Sequence, residues 1–579
     1  MIFYLLTTIL FLFKSNLVYA TSEFTIQKNI DYQFDSLGNA QVTQDIKLIN
    51  NYSVIYPKEY QLIIYGQQIS NLTANDNLGN ILKNTSVKND STTIYLQFNQ
   101  PSINTQKSTD FQIKYNIDNL AQNQGNIWKI NLPKHTTNPK DQIQTTIIVP
   151  VNWGKLAYSS LSLSPQTNTL NQTIVVPPHS SDQSITLAFG ETQIFNFNLT
   201  FFLENNHNET KNFQIPLPPE TDTQTIVYTN INPTPQNINV DPDGNFLAQY
   251  QLLPNQKISI IAQGQVQVHP PNPDFPQIKP LSFHTQTDQF WPASNPTITN
   301  YAKNLQSPKK IYDFVVNTLA YNPNIIQNAT RKDPLKSLLE PQNSLCTDFT
   351  DLFISIARAS SIPSREIQGF IYTQDNLLQP QNTSLDILHA WPQFWNQDQN
   401  MWQQIDPTWQ STTKGDDYFN SVDLNRVILV FHGLSSINPP PPGSYNSSPN
   451  QKTVDITLTN NLLNTQFSPL VLTLKKSKLT VHNPNQQSIT NLSITNSSFS
   501  LNKTTDIIPP HSYIEIGLDT IKYPLSIIPK NNKIELNLIY DQGQTQETLL
   551  NPYNRLYSQG LIFFLALSLF TGIIILKRK

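Results

Sequence analysis

Short runs in which apolar and polar residues alternate recur along most of this 579-residue chain, for example at 453–458. Alternation with a period of two is typical of half-buried β-strands, because successive side chains of a strand point to opposite faces. Residues 307–319 break this pattern: they begin with Ser307-Pro308, a typical helix start, and then repeat apolar residues at helical spacing. The sequence therefore predicts a multidomain, mainly β chain with helices confined to its middle.

Two proline-rich stretches, 269–276 and 439–442, separate these patterns. Proline-rich segments are stiff, extended linkers, so domain borders are expected there. The predicted domains are an N-terminal β-sandwich-like domain, a second β-rich domain, a central α+β domain and a C-terminal β-sandwich-like domain, at 21–138, 139–270, 280–438 and 450–548. A single larger β-domain in the first half is the alternative.

The two ends of the chain are apolar. Residues 2–13 are followed by Val18-Tyr19-Ala20, which suits signal-peptidase cleavage, so 1–20 are predicted to be a signal peptide. Residues 560–576 carry no charge and precede Lys577-Arg578-Lys579, as expected for a transmembrane helix with a cytoplasmic basic end. We expect a single-pass cell-membrane protein with a large extracellular N-terminal region. An uncleaved N-terminal anchor and a buried C-terminal helix are the alternatives.

Charge is scarce, since Asp, Glu, Lys and Arg make up 13% of the chain and the formal net charge is −3. A chain without a basic field is not expected to bind nucleic acid. One cysteine and scattered histidines give no zinc-ligand spacing, and no acidic cluster indicates calcium. The sequence therefore predicts no metal and no cofactor.

Cys346 is the only cysteine, so it cannot form a disulfide within the chain. It is a reactive thiol, an intermolecular disulfide partner or an inert buried thiol. An apolar helix is predicted to follow it and to end near Ser360. At the first turn of a helix, the macrodipole and the unpaired N–H groups favour a thiolate, which is the nucleophile of acyl transfer.

Further along the chain, three strands are predicted at 366–372, 388–395 and 402–409. Adjacent strands could bring His389 beside Asp406, whose carboxylate would orient the imidazole. His389 could then accept a proton from Cys346 and later donate one to the leaving amine. These three residues are the candidate catalytic triad. Asp406 could instead be only a turn residue before Pro407, because Asp-Pro is a common turn opener.

This order of motifs resembles the transglutaminase-like superfamily: a cysteine opening a helix, Ile-Pro-X-Arg at 362–365, His-Ala-Trp at 389–391 and Ile-Asp-Pro-Thr at 405–408. The resemblance covers roughly residues 285–435. It implies a papain-like α/β core and a thioester that passes to an amine or to water, although some members of the family have lost catalysis. Matched position by position, Cys346, His389 and Asp406 are retained.

Two positions depart from the family pattern. Asn343-Ser344-Leu345 precedes the cysteine where glycine is frequent, and Gln393 stands where glutamate is common. The second oxyanion donor is not evident, and Gln342 is a weak candidate. Several further residues are expected to be structural: Trp391, Trp395, Trp402 and Trp409 as core, Arg365 as an ion-pair partner, and His432.

These features predict a cell-surface cysteine acyltransferase or amide hydrolase that acts on protein or peptide substrates without a cofactor. A catalytically idle adhesion or scaffold protein that binds through its β-sandwich domains is the first alternative. A stalk cross-linked through an intermolecular disulfide at Cys346 is the second.

Overall fold

A computed structural model describes most of the chain. The described residues are 23–88, 91–100, 102–132, 141–161, 163–177, 185–328, 330–374, 379–380, 388–413, 416–448, 451–475, 478–495, 502–517 and 533–550. The chain divides into two compact units. The first comprises 1–121, 133–152 and 163–183, and the second comprises 122–132, 153–162 and 184–579.

Strands dominate the described residues before the middle of the chain. They are β1 (Phe24–Phe34), β2 (Ala40–Asn50), β3 (Glu59–Ile64), β4 (Ser70–Asp76), β5 (Gly79–Asn80), β6 (Leu82–Lys88), β7 (Ser91–Gln97), β8 (Ser108–Ile117), β9 (Ala121–Gln124), β10 (Ile127–Leu132), β11 (Gln142–Pro150), β12 (Leu156–Ser159), β13 (Gln166–Thr167), β14 (Asn171–Val176), β15 (Ile185–Phe189), β16 (Gln193–Glu204), β17 (Lys211–Leu217), β18 (Gln224–Asn232), β19 (Ile238–Val240), β20 (Phe246–Leu252) and β21 (Lys257–Val268).

Helices and strands share the middle of the chain, and strands return after it. These elements are α1 (Pro296–Leu305), α2 (Pro308–Thr318), α3 (Pro334–Leu339), α4 (Cys346–Ala359), β22 (Ser364–Ile371), β23 (His389–Asn396), β24 (Met401–Gln404), α5 (Pro407–Thr413), β25 (Arg426–His432), β26 (Val454–Thr459), β27 (Val471–Lys475), β28 (Lys478–Asn483), β29 (Ile489–Thr495), β30 (Asn502–Ile508), β31 (Ser512–Gly517), β32 (Lys533–Tyr540) and β33 (Gly543–Leu550). Short 3₁₀ turns occupy Val151–Trp153, Ser282–Thr285 and Pro323–Asn328.

The first unit contains an eight-stranded sheet in the order β13-β14-β11-β1-β2-β8-β4-β5 and a three-stranded sheet in the order β3-β7-β6. Buried and exposed residues alternate along β1 and β2, as the sequence pattern predicts. Strand β11 pairs in parallel with β1. The predicted border between 138 and 139 lies outside the described residues, and β11 belongs to the same unit as β1.

The second unit contains several smaller sheets. Strand β26, which follows the second proline-rich stretch, pairs with β16 and completes the sheet β18-β21-β16-β26. The other sheets are β12-β15-β10-β9, β17-β20-β19, β24-β23-β22-β25, β27-β28-β31 and β30-β29-β32-β33. The predicted border at 450 lies outside the described residues, and the strand after it, β26, belongs to a sheet of the preceding β-rich region.

Two apolar cores hold the middle of the chain. The helices pack around α4, with Trp291, Ile311 and Phe353 among the buried side chains. The antiparallel sheet β24-β23-β22-β25 contributes Ile367 and Trp391 to a core that also contains residues of β16 to β21. Because these β-strands and the central sheet share one core, residues 185–268 support the sheet that carries the candidate site.

The predicted signal peptide, 1–20, and the predicted transmembrane helix, 560–576, lie outside the described residues. Within the described ranges, no helix is long and apolar enough to cross a membrane.

Candidate active site

Cys346 is the first residue of α4, as the sequence predicts. The Asp348 carboxylate reaches back and accepts a hydrogen bond of 2.7 Å from the Leu345 N–H, and Ser337 donates to its other oxygen at 2.8 Å. This fixes the start of the helix, whose first N–H groups have no carbonyl partner one turn earlier. Cys346 is a free thiol with 8% exposure, so its sulfur lies just beneath the surface at the positive end of the helix.

The helix is more deeply buried than its sequence pattern suggests. Every residue from Asp348 to Arg358 is buried, including the charged residues Asp348, Asp351 and Arg358. The helix contacts α1, α2 and α3 as well as β22 and β23, which accounts for its burial on all sides. This packing places Cys346, at the start of the helix, against the sheet that carries His389.

His389 opens β23, next to Gly369 of β22. A Cβ atom at Gly369 would lie 2.1 Å from the Val427 carbonyl oxygen and 2.8 Å from the Trp391 ring. Only glycine allows this approach of three strands. Gly369 therefore helps to position the start of β23 and, with it, the imidazole of His389.

Asp406 does not lie in a strand. The predicted strand 402–409 is wrong beyond Gln404, because a helix, α5, begins at Pro407. The Asp406 Oδ1 atom accepts a hydrogen bond of 3.0 Å from the Trp409 N–H, and proline is favoured at the first helical position. Asp406 is thus the N-cap of α5, and its other oxygen remains free to face the imidazole.

His389 Nε2 lies 2.9 Å from Asp406 Oδ2, and both side chains are buried. Burial alone would raise the pKa of Asp406, but the charges of His389 and Arg426 lower it to about 2. Because the carboxylate is ionised, Nε2 must donate the hydrogen bond. Nδ1 is buried and has no hydrogen-bond partner among the described residues. It is therefore the ring nitrogen left to face Cys346.

The imidazole of His389 is protonated at neutral pH. Burial alone would lower the pKa of His389, but the charge and hydrogen bond of Asp406, followed by the interaction with Cys346, raise it to about 9. The Trp391 ring stacks beside the imidazole at a centroid distance of 5.9 Å, and the Trp409 ring lies tilted against it at 5.6 Å. These indoles exclude water from the imidazole, so its electrostatic interactions are strong.

The sequence does not predict two residues that lie near the candidate triad. Arg426 donates a hydrogen bond of 2.8 Å to Asp406 Oδ2 and is almost fully buried. The only hint in the sequence is a lone cation before the apolar run 427–431. Tyr321, which follows α2, interacts electrostatically with Cys346. No motif in the sequence indicates this tyrosine.

Backbone hydrogen bonds hold Tyr321 beside the loop that leads to the cysteine. Ser344 N donates to Ala320 O at 3.2 Å, and Asn322 N donates to Ser344 O at 2.9 Å, which forms a parallel bridge between Tyr321 and Ser344. Burial, followed by the charge of Cys346, raises the pKa of the Tyr321 phenol. The phenol is therefore protonated at neutral pH and can donate a hydrogen bond.

The remaining residues singled out in the sequence are structural. The four tryptophans expected in the core are buried, with exposures between 0% and 9%, at 391, 395, 402 and 409. Arg365 lies between the rings of Trp402 and Phe431, at 4.2 Å and 4.0 Å from their centroids. Its Nε donates to Gln393 Oε1 at 2.9 Å, so its direct partner is an amide rather than the expected carboxylate. Gln393 therefore replaces the more common glutamate at a structural position.

His432 is also structural, as expected. Its Nδ1 lies 2.8 Å from Glu366 Oε2 and its Nε2 lies 2.8 Å from the Pro439 carbonyl. Gln342, the weak oxyanion candidate, is exposed. Because no hydrogen bond joins its side chain to the described residues, nothing in that part of the chain fixes its amide near the sulfur. Among the described residues, no group of three or more His, Cys, Asp or Glu side chains could hold a metal ion.

A cysteine at a helix start beside a buried histidine–aspartate pair is the arrangement of a papain-like cysteine enzyme. Residues 293–407 match the family model of the transglutaminase-like superfamily, so this part of the chain is a transglutaminase-like domain. The matched range lies within the 280–438 predicted from the sequence and includes Cys346, His389 and Asp406. No curated protein sequence matches the chain.

Solved structures show more distant similarity. A protein from Cytophaga hutchinsonii proposed to be a cysteine protease has 12% identity and a TM-score of 0.30, covering 61% of this chain and 99% of its own. The periplasmic domain of TgpA from Pseudomonas aeruginosa has 15% identity and a TM-score of 0.22, covering 38% and 91%. An M1 zinc metallopeptidase from Deinococcus radiodurans has 8% identity and a TM-score of 0.21, covering 29% and 42%.

Proposed function

We propose that this protein is a transglutaminase-like cysteine acyltransferase or amide hydrolase acting on protein or peptide substrates. Cys346 is the nucleophile, His389 the general acid and base, and Asp406 the carboxylate that orients the imidazole. The observation that carries the proposal is the buried hydrogen bond of 2.9 Å between His389 and Asp406, next to a helix that begins with the only cysteine.

The reaction uses two steps. The Cys346 sulfur attacks the amide carbonyl carbon, and the imidazolium of His389 gives its proton to the leaving amine as the C–N bond breaks. A thioester on Cys346 remains. An incoming amine or water then attacks that thioester, and the neutral imidazole takes its proton while the thiolate leaves. A pKa of about 9 for His389 keeps the imidazolium available for the first step at neutral pH.

The tetrahedral intermediate needs hydrogen-bond donors for its oxyanion. The Cys346 N–H is one donor, since the first turn of α4 leaves it without a carbonyl partner within the helix. The second donor in this proposal is the Tyr321 phenol. What supports that role is the backbone bridge to Ser344, two residues before the nucleophile, and the protonated state of the phenol.

Replacing Tyr321 with phenylalanine is expected to lower the turnover of amide substrates by about 10²-fold, the effect of removing one oxyanion donor. The ring and its packing remain, so the fold should be unchanged. The rate of alkylation of Cys346 by iodoacetamide should also be unchanged, because that displacement forms no oxyanion. A loss of both rates together would instead indicate that Tyr321 only supports the local structure.

Incubation of the full chain with a glutamine-containing protein and a tagged primary amine tests the proposed function. Mass spectrometry should find the amine attached to glutamine if the thioester passes to amines, and deamidated glutamine or cleaved peptide if it passes to water. Cys346→Ser should abolish every product. If the wild-type chain forms none of these products with a broad protein library, the idle scaffold becomes the better account.

The proposal retains the finer architecture and location predicted from the sequence. In this proposal the protein has β-sandwich-like domains on both sides of the enzyme domain, a signal peptide at 1–20 and a membrane-spanning helix at 560–576. The support is the uncharged apolar run before Lys577-Arg578-Lys579 and the apolar run at 2–13. The enzyme would then act outside the cell on proteins or peptides that reach the membrane surface.

A further inference from the structure

Arg426, the first residue of β25, makes an unusual set of contacts for a buried cation. Its Nη1 donates to Asp406 Oδ2 at 2.8 Å, the same oxygen that His389 Nε2 meets at 2.9 Å. Its Nε and Nη2 donate to Asp423 Oδ2 at 3.4 Å and 3.3 Å. The guanidinium also lies 4.5 Å from the centre of the Trp409 ring. Arg426 thus links the triad carboxylate to a second carboxylate.

We propose that Arg426 is a positioning residue of the triad: by sharing one oxygen of Asp406 with the imidazole, it fixes that carboxylate and limits how strongly His389 retains its proton. This inference rests on the proposed function, because it assigns a role only if His389 performs acid and base chemistry. Arg426 itself does not contact the reacting atoms in this account.

The physical reason is competition between two cations for one carboxylate oxygen. An aspartate that faces only an imidazolium would stabilise that imidazolium strongly, because the site is buried and weakly screened. A permanently charged guanidinium on the same oxygen opposes a second positive charge nearby. Asp423, whose side chain is 11% exposed, offsets part of the Arg426 charge. The balance between Arg426 and Asp423 therefore adjusts the basicity of His389.

Most of the other titratable groups around His389 are neutral. Cys346 approaches from α4, and Gly369 of β22 brings no side chain. Tyr312 of α2 donates to the Asp406 carbonyl at 3.1 Å. Burial raises the pKa of both Tyr312 and Tyr418 well above the usual range, so these phenols stay uncharged. Asp416 and Asp417 act on those two phenols. Arg426 and Asp423 are thus the charged groups that distinguish this site from a triad of cysteine, histidine and aspartate alone.

The test is the alkylation rate of Cys346 by iodoacetamide in the full chain, measured across a range of pH. The wild-type rate should change near pH 9, where His389 loses its proton and the thiolate loses its counter-ion. Arg426→Met should move this inflection upward by about one pH unit, which corresponds to about 1.4 kcal/mol. Asp423→Asn should move it downward, because Arg426 is then less compensated. Arg426→Lys should keep the wild-type inflection but lose turnover, since an ammonium cannot form the same fork of bonds.

Arg358→Met is the matched control. Arg358 is also buried, lies 4.2 Å from the centre of the Trp291 ring and donates to backbone carbonyls including that of Ser364, but its hydrogen bonds do not involve the triad. Its loss should lower stability without moving the inflection. An Arg426→Met inflection at the wild-type pH would overturn the inference.

If Arg426→Met does not fold, the Asp423→Asn variant decides, and an unchanged or raised inflection there would also overturn the inference. If the wild-type alkylation profile shows no inflection that His389→Ala removes or shifts, both the inference and the proposed function are overturned. If the inflection is present in the wild type but unchanged when Arg426 or Asp423 is substituted, only the inference is overturned.

Discussion

Replacing His389 with alanine is expected to lower the turnover of amide substrates by about 10³- to 10⁴-fold, the upper part of the range for general acid–base catalysis. The imidazole acts in both steps, since it protonates the leaving amine and then deprotonates the incoming amine or water. Asp406 keeps its ion pair with Arg426, so the variant should remain folded. Turnover per folded molecule, measured with a defined glutamine peptide, is the readout.

The chain offers a close control for this change. His284 Nε2 lies 3.0 Å from Asp243 Oδ1, and both side chains are buried, as in the His389–Asp406 pair. Here burial, assisted by the charges of Arg365 and Arg358, keeps the pKa of the histidine below its usual value. His284→Ala should reduce stability while leaving turnover per folded molecule near the wild-type level. Equal losses of turnover in the two variants would show that His389 acts only through the fold.

Asp406→Ala is expected to lose both activity and stability. Turnover should fall by about 10⁴-fold, because the imidazole loses its orienting carboxylate and its preferred tautomer. The free energy of unfolding should fall by about 3–5 kcal/mol, because buried Arg426 loses one of its two carboxylate partners and buried His389 loses the hydrogen bond and charge of Asp406. Loss of the α5 N-cap should remove about 1 kcal/mol more. Denaturant unfolding and peptide turnover measure the two effects.

The stability loss should depend on pH in a defined direction. The pKa of Asp406 is lowered from 3.8 to about 2 in the folded chain. A lowered carboxyl pKa stabilises the fold above the unfolded value, and this contribution is lost as the pH falls through the folded value. The difference between wild type and Asp406→Ala should therefore be largest between about pH 4 and about pH 6.5, shrink towards about pH 2 as Asp406 is protonated, and shrink again towards about pH 9 as His389 loses the proton that Asp406 stabilises.

Asp406→Asn separates the two roles of this side chain. The amide oxygen can still accept from the Trp409 N–H and cap α5, but the amide carries no charge. Stability should fall less than in Asp406→Ala, whereas turnover should fall by a similar factor. A variant with asparagine that keeps wild-type turnover would contradict the orienting role of the carboxylate.

Local sequence patterns predicted the elements that carry the candidate site. Ser307-Pro308 does start α2, and Cys346 does start α4, because capping and helical periodicity act over a few residues. The same reasoning extended the third strand through Asp406, since an apolar and aromatic run suits a strand as well as a short helix. The structure shows that Asp-Pro in this position caps a helix.

Contacts between distant segments escaped prediction. Arg426 reaches Asp406 only through the pairing of β25 with β22, and Tyr321 reaches the cysteine loop only through its bridge to Ser344. Strand β11 likewise joins β1 across 115 positions. Alternation fixes which residues face a core, but it does not specify which strand lies alongside. The bounds of independently folding domains remain predictions.

The most direct test of the central claim is the reaction of Cys346 with iodoacetamide as a function of pH, compared between the wild-type chain and His389→Ala. The chain has no other cysteine, so all thiol alkylation that is measured comes from Cys346. If the imidazolium of His389 stabilises the sulfur as a thiolate, the wild-type chain should react faster than His389→Ala at every pH below about 9, where His389 keeps its proton. A wild-type thiol that reacts only above about pH 8, with or without His389, would contradict the triad and leave an idle scaffold as the account of this fold.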